Sequence, residues 1–457
     1  MHNGELSFWH ASLGGMRPTR PPLPESTEAD VCIVGAGLTG LWTAYYLRRA
    51  DPTLRIVVLE AAHVGFGASG RNGGWLSGEL AGSRATYAKA AGGRDPVVRL
   101  QRTMFSSVDE VIDVLAREGI DADVKKGGSL YVARNAAQLE RLRAELAYER
   151  EWGFSDDYRW LERAELEQRV RVAGVLAAIA TPHCARLHPA KLVRGIGDLV
   201  ERMGVQIHEA TPVTRIEPRS AHTVFGTVSA RHVLRCTEGF TASLAGHKRT
   251  WLPMNSSMIV TAPLPAAAWE QIGWDGAETI ADSAHVYFYA QRTADDRIAI
   301  GGRGVPYLFG SRTDERGRTQ QKTATALRAI TTSLFPATSG VEIEHAWCGV
   351  LGVPRDWCTT VGLDPATGLG WAGGYVGSGL TTTNLAGRTL ADLVRGEASD
   401  LTRLPWVNRK PRRWEPEPLR YLGVHALYAL YRAADERERT LPHTSRIARL
   451  ADRISGK

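Results

Sequence analysis

Two short apolar runs near the N-terminus organise the chain. Val31, Ile33 and Val34 make the first, and residues 56–59 the second. Runs this short and this apolar suit parallel strands buried on both faces. Between them Leu38, Leu41, Trp42, Tyr45 and Tyr46 recur at i, i+3, i+4, i+7 and i+8, the period of a helix with one buried face. Gly35, Gly37 and Gly40 lie at the junction of strand and helix in GxGxxG spacing, and Glu60 stands 20 residues beyond Gly40. In such a unit the first glycine permits a tight turn, the second lets backbone approach a pyrophosphate, and the third lets helix pack on strand. The phosphates would meet the helix N-terminus, and Glu60 a ribose hydroxyl. This is a Rossmann fingerprint, and it leaves NAD and FAD as candidates.

The same patterning predicts helices over 99–118 and 136–152 with a strand at 128–132 between them, the start of an inserted region. A helix over 189–203 and strands at 205–209, 213–216 and 232–236 return to the parallel architecture. From 251 to 349 the strands are longer and polar on one side: 257–261, 285–289, 297–301 and 341–347. Such alternation suits an antiparallel sheet with one face covered, here by a helix over 319–334, and one face towards a cavity. A strand at 368–372, a glycine-rich turn at 373–379 and a helix over 382–395 follow.

The expected fold is therefore α/β (α+β overall). A Rossmann-type nucleotide domain, discontinuous over 31–98, 185–248 and 349–396, carries an inserted substrate domain over 99–184 and 249–348, built on a mixed or antiparallel sheet. Residues 1–30, proline-rich around 18–24, read as an extended arm. Residues 397–457 read as a helical tail in which Arg409, Lys410, Arg412 and Arg413 precede Trp414, Tyr421, Leu427, Tyr428, Leu430 and Tyr431. Packing on its own protein or a second subunit is the first expectation for this basic amphipathic tail, and peripheral membrane contact the alternative.

Composition narrows the class. A chain of 457 residues with 43% hydrophobic and 23% charged residues has room for two or three domains with substantial cores. The net charge of +7 is spread along the chain without a basic block, so nucleic acid is not an expected partner. Cys32, Cys184, Cys236, Cys348 and Cys358 are odd in number and form no CxxC pair, which argues against a disulfide framework and a metal site. Reduced thiols fit a cytoplasmic protein. Neither a secretory h-region in the first 30 residues nor a run of 18 apolar residues is found.

Two further segments separate FAD from NAD. GASGRNGG, residues 67–74, begins seven residues beyond Glu60, and its glycines let backbone press against a planar ring and a diphosphate. GGYVGSGLTTTNLAGRTLADLV, residues 373–394, is a second glycine turn feeding a helix N-terminus. Two such turns suit a long dinucleotide.

With these motifs the chain resembles the D-amino-acid oxidase (DAO) type of FAD-dependent oxidoreductases. The order E-x6-GASGRNGG is most similar to the branch containing gamma-glutamylputrescine oxidase, and residues 185–196 and 289–304 add to the likeness. The resemblance implies that Gly35, Gly37 and Gly40 hold the FAD pyrophosphate, Glu60 the adenosine ribose, and Val213 the adenine. Ser69, Arg71, Asn72 and Gly73 would lie along the diphosphate and isoalloxazine. Gly374, Gly377, Gly379, Leu380 and Thr381 would meet the flavin from the other side. The family often has a small residue and Asn before the glycine at 239, where this chain has Thr237 and Glu238. The surroundings of Cys348 do not match relatives that bind flavin covalently, so FAD is expected to be noncovalent.

Flavins accept a hydride at N5, which leaves the protein to orient the donor carbon, keep the amine neutral and tune the ring. A helix N-terminus at 377–382 is placed to favour the reduced anion. The expected reaction is oxidation of the C–N bond of an amine or amino acid to an imine, hydrolysed to a carbonyl compound, with dioxygen reduced to hydrogen peroxide. The alternatives are a dehydrogenase passing electrons to a quinone or protein acceptor, a NAD-dependent dehydrogenase, and a flavin-binding protein without turnover. Between Lys248 and Lys410 the only lysine is Lys322, on the covering helix, so no lysine marks an oxygen site.

For catalysis and substrate binding, His285, Tyr287 and Tyr289 alternate and share one strand face. The tyrosines offer an aromatic wall for an ammonium group. Arg303 suits a substrate carboxylate, His345 and Trp347 alternate on the strand that enters Gly349, and Trp75 flanks the 67–74 loop. Ordinary core packing competes with each role. Arg303 favours an amino acid and the aromatic wall an apolar or aromatic amine, and both stay open.

Overall fold

Val31, Cys32, Ile33 and Val34 are buried in the second half of a strand, Thr27–Val34, at the centre of the first sheet. The computed structural model describes residues 1–302, 307–313, 316–439, 441, 443–448 and 451. Thr27–Val34 pairs in parallel with Ile56–Leu59 on one side and Thr227–Arg235 on the other. Gln206–His208 and Leu369–Gly373 extend the parallel order outwards. Helices Leu38–Ala50, Pro189–Arg202 and Gly379–Arg395 pack in the core on one face of this sheet with Val31, Ile33, Ile56 and Val58, while Cys32, Val34, Val57 and Leu59 are buried on the other face with Leu23 and Ala221, which explains why these two short runs are apolar throughout. Gly387 makes the crossing of two of these helices close: a β-carbon there would lie 2.7 Å from Trp42 Cβ and 2.8 Å from Thr43 N.

One edge of this sheet departs from the parallel expectation. Val213–Glu217, Ser220–Thr223 and Thr227–Arg235 form an antiparallel meander. Two residues join the first pair, with Arg219 at φ +62°, and so short a link permits only antiparallel neighbours.

The second sheet has nine strands, in the order His2–Asn3, Ile343–Val353, Leu252–Thr261, Ile298–Gly302, Phe288–Arg292, Thr279–Asp282, Ser129–Ala133, Ala177–Thr181 and Arg159–Glu162. Two of its pairings are parallel, His2–Asn3 with Ile343–Val353 and Thr279–Asp282 with Ser129–Ala133, and the rest antiparallel. Phe288 and Ala290 face a core with Ile259, Ile300 and Leu327, the last on the covering helix Gln321–Leu334. Tyr289 faces the other way, towards the first sheet. Lys322 is exposed on the covering helix. Helix Asp95–Arg117 crosses the division expected at 98/99, and strand Ile343–Val353 the one at 348/349.

The N-terminal 30 residues, expected as an extended arm, are docked on the protein. Asn3 is aligned with Ala346, Phe8 and Trp9 are buried, and Leu23 is buried with its N–H donated to Thr211 Oγ1 at 3.1 Å. In the tail, helix Leu419–Glu438 buries Val424 and Tyr428 against Leu252, Met254 and Trp414. Val424 and Tyr428 are thus covered by the chain itself, while Leu419 and Leu422 are exposed. Among the described residues no helix is long and apolar enough to cross a membrane.

Candidate active site

Where strand Thr27–Val34 ends, Gly35 turns at φ +107°, and a β-carbon there would lie 2.7 Å from Cys236 O. Gly37 caps helix Leu38–Ala50 in extended conformation, and Leu38 N donates to Ser69 Oγ at 2.8 Å. Glu60 accepts from Ala36 N (2.8 Å) and Ala62 N (3.0 Å), and burial, with Glu209 nearby, pushes its carboxyl up to about 7. These groups open onto a cavity of about 910 Å³ that runs between the two sheets.

Of the cofactor residues expected from sequence, Gly35, Gly37, Glu60, Ser69, Arg71, Asn72, Gly73, Val213, Gly377, Gly379 and Leu380 line this cavity. Three do not line it. A β-carbon on Gly40 would lie 2.1 Å from Gly35 O, so this glycine serves the packing of helix on turn. Gly374 donates its N–H to Glu238 at 2.8 Å. Thr381 is buried within helix Gly379–Arg395, its hydroxyl without a partner among the described residues.

The 67–74 loop is held by its carbonyls. Ser7 Oγ donates to Gly70 O at 2.6 Å, Trp347 Nε1 to Arg71 O at 2.8 Å, Trp9 Nε1 to Asn72 O at 2.8 Å, and Gln291 Nε2 to Gly73 O at 2.6 Å. Four consecutive carbonyls are thus bound by four side chains from three distant segments. The N–H groups of Gly70 and Arg71 stay within the loop, on Gly67 O (3.3 Å) and Ala68 O (3.1 Å), so the segment is fixed by its own backbone as well as from outside. Within the loop, Arg71 binds Phe66 O (2.9 Å) and Cys348 O (3.2 Å), and Asn72 Oδ1 accepts from Gly74 N at 2.8 Å.

Glu238 fastens the second glycine turn. Its carboxylate accepts from Gly352 N (3.0 Å), Gly374 N (2.8 Å) and Tyr375 N (3.2 Å), and so ties the second glycine turn to strand Ile343–Val353. Burial pushes it up to about 7 as well. Tyr375 Oη and Thr39 Oγ1, 2.9 Å apart, connect this turn to the first helix.

The substrate candidates separate. Tyr287 and Tyr289 line the cavity, and so does Trp75. The Tyr289 ring lies between Gly73 and Gly301, where β-carbons would stand 2.7 Å and 2.2 Å from it, and its hydroxyl is 2.9 Å from Ser256 Oγ. His285 does not share that face. Asp435 accepts the N–H groups of His285 and Val286 (both 2.9 Å), so the strand begins only at Phe288, and the His285 ring pairs with Glu438 at 3.0 Å. His345 hydrogen-bonds Leu6 O at 2.8 Å and anchors the N-terminus, and burial lowers its basicity. Trp347 is wholly buried and acts only through the loop carbonyl. Arg303 lies outside the described residues. Reading by sequence missed Ser7, Trp9 and Gln291, as well as Glu79, Tyr131 and Asp282, which line the cavity.

Comparison with known proteins agrees with this geometry. The family model described as "DAO: FAD dependent oxidoreductase" matches residues 30–393. The chain belongs to this family. It is 30% identical over 405 residues to the gamma-glutamylputrescine oxidoreductase of Escherichia coli (strain K12), covering 86% of this chain and 89% of that protein. Among solved structures it is similar to glycine oxidase from Geobacillus kaustophilus (TM-score 0.69, 21% identity, 84% of this chain and 99% of that one). It is also similar to L-proline dehydrogenase from P. horikoshii (TM-score 0.67, 18% identity, 84% and 98%). At such identities the structures speak for the fold. As a member of the DAO family the chain is an oxidoreductase that takes FAD. The cavity fits that group: a glycine turn at a helix start, an enclosed carboxylate beside it, and a loop whose carbonyls are turned away suit a diphosphate, a ribose diol and a flat ring.

Proposed function

We propose that this DAO-family enzyme oxidises the C–N bond of an amine or amino acid to an imine, which water hydrolyses to a carbonyl compound. The named relatives act on such molecules, and the observation that carries the reading here is the cavity itself, in which the fastened 67–74 loop meets the Tyr287 and Tyr289 wall. FAD, held by these residues, would supply the hydride acceptor, with dioxygen as the proposed final electron acceptor.

The chain's own residues bind and orient. The backbone at Gly35 and Gly37 and the start of helix Leu38–Ala50 take the pyrophosphate, Glu60 the adenosine ribose and Val213 the adenine side. Ser69, Arg71, Asn72 and Gly73 run along the diphosphate and ring, with Gly377, Gly379 and Leu380 opposite. The N-terminus of helix Gly379–Arg395 points positive partial charge at this end of the cavity. Cys348 does not line the cavity and its Sγ contacts Asn255 Oδ1 at 3.7 Å, which supports a noncovalent flavin. Tyr289, wedged between two glycines, holds the reacting carbon in place and excludes water.

The test is an absorption spectrum of the purified protein, then anaerobic addition of amines and amino acids, then air. A yellow protein bleached by an amine that forms peroxide on aeration is expected. Bleaching without peroxide would replace dioxygen by another acceptor, and no bleaching by any amine or amino acid would overturn the reading.

A further inference from the structure

One row of the second sheet crosses five strands on the face towards the cavity. Tyr131 is paired with Ala281, Ala281 with Tyr289, Tyr289 with Gly301 and Gly301 with Met258, and paired residues share a face. Tyr131, Ala281 and Tyr289 all line the cavity. Neighbouring strands lie about 4.8 Å apart, so the two tyrosines stand about 10 Å from each other at the backbone, and Ala281 puts only a methyl group between them. The row is a slot with an alanine floor and two aromatic walls, with room for one alkyl chain or flat ring.

Against the Tyr131 wall lies Glu79, which follows strand Trp75–Ser77 and also lines the cavity. Its Oε1 accepts the Tyr131 hydroxyl, and among the described residues the carboxyl has no other donor and no ion pair. The other titratable groups around it are Glu149 and Glu145 on helix Ala136–Glu151, Tyr158, and Cys184. Arg84, the cation of this cluster, is taken up by Glu149 at 2.9 Å and Gln101 at 3.0 Å. His183, whose carbonyl accepts Gly78 N, pairs with Asp157 at 2.7 Å. An enclosed carboxylate without a counter-charge, beside two further acids, is costly as an anion and takes up a proton readily. Burial accordingly holds the Glu79 carboxyl above the usual carboxylate range.

The function proposed above, on which the inference rests, has a matching need. An aliphatic amine arrives as ammonium, charged up to about pH 10, and only the neutral amine has the lone pair that becomes part of the C=N bond. We infer that Tyr131 and Glu79 form the proton acceptor for the substrate ammonium, and that the amine reacts in the slot over Ala281. The Tyr131 oxygen takes a proton from the ammonium nitrogen while its own proton passes to Glu79 Oε1. One N–H and one O–H bond break and two O–H bonds form. The products are a neutral amine, an intact tyrosine and a neutral carboxylic acid, so no charge is left in the slot.

The experiment is anaerobic bleaching of the FAD-loaded enzyme by saturating n-butylamine, 1,4-diaminobutane, benzylamine or glycine between about pH 6 and pH 10, with the fastest of them carried into the variants. In the wild type the rate should fall on the acid side, where Glu79 is protonated beforehand, and level off well below the pH at which the free amine loses its proton. Glu79→Gln still accepts the Tyr131 hydroxyl and Tyr131→Phe keeps the wall, yet each should slow bleaching about 100-fold or more at about pH 7. Their rates should then rise about tenfold per pH unit and come within about tenfold of the wild type near pH 10, where the amine loses its proton unaided. The double variant should be no slower than either single one, as for two parts of one relay. A loss that stays constant across the pH range marks a structural role and overturns the inference. So does a wild-type rate that itself climbs about tenfold per unit up to about pH 10, a result that decides even where a variant fails to fold. A wild type bleached by none of these compounds refutes the reaction and its proton acceptor together, whereas bleaching with unaltered rates in the variants refutes the acceptor alone.

Discussion

Tyr289 and Gly301 make a pair whose coupling follows directly from the packing. A β-carbon at Gly301 would lie 2.2 Å from Tyr289 Cζ, 2.4 Å from Cε2 and 2.4 Å from the hydroxyl oxygen, and its three nearest neighbours all belong to that one ring. The backbone of Gly301 is not in the left-handed region, so alanine there is not strained by its backbone conformation. In Gly301→Ala the ring must leave Ser256 and move into the cavity, since Gly73 backs it on the loop side. Overpacking of this kind costs about 1–3 kcal/mol. In a Tyr289→Ala background the same substitution is neutral or stabilising by about 0.5–1 kcal/mol, because glycine in a strand carries an entropic penalty. A double-mutant cycle by urea unfolding of the FAD-loaded protein should therefore give a coupling of about 1–3 kcal/mol. In the same samples Gly301→Ala should raise KM for the amine by placing the ring in the substrate's path. Additive effects within about 0.5 kcal/mol would refute the wedge between Gly73 and Gly301.

Glu238 makes stability depend on pH. Its folded value of about 7 lies above the ordinary 4.5, so its contribution is full at low pH and is lost as pH rises through about 7. Between about pH 5 and pH 8 the wild type should lose roughly 2–3 kcal/mol relative to Glu238→Gln, read as the difference between their melts, and parallel pH profiles would contradict this. Trp9→Phe keeps the packing but removes the N–H that holds Asn72 O. FAD should bind about fivefold more weakly, as for one lost hydrogen bond, with the melting temperature of the apoprotein nearly unchanged, and an unaltered FAD affinity would show that this carbonyl needs no anchor.

The local chemistry of the site was legible in the chain. A glycine turn, the helix after it, an acid at a set distance and the 67–74 loop are contiguous or nearly so, and their spacing carries their geometry. Tyr287 and Tyr289 were found by alternation, but His285 was assigned to the same face because period two says nothing about where a strand starts. Asp435, 150 residues away, caps the backbone there and delays it. His345 and Trp347 were placed on the correct strand and given the wrong work, since a strand position does not reveal the neighbour that a side chain meets.

What the sequence by itself determined is the nucleotide fold, the cofactor and the two glycine turns, because short-range backbone requirements for tight turns and close approach leave few residue types to choose from. Only the tertiary structure decided which distant groups complete the site. The carbonyls of the loop are held from positions 63, 276 and 218 residues away. Such contacts are made by side chains that satisfy buried polar groups after the sheets have packed, and no local pattern encodes which pairs will meet.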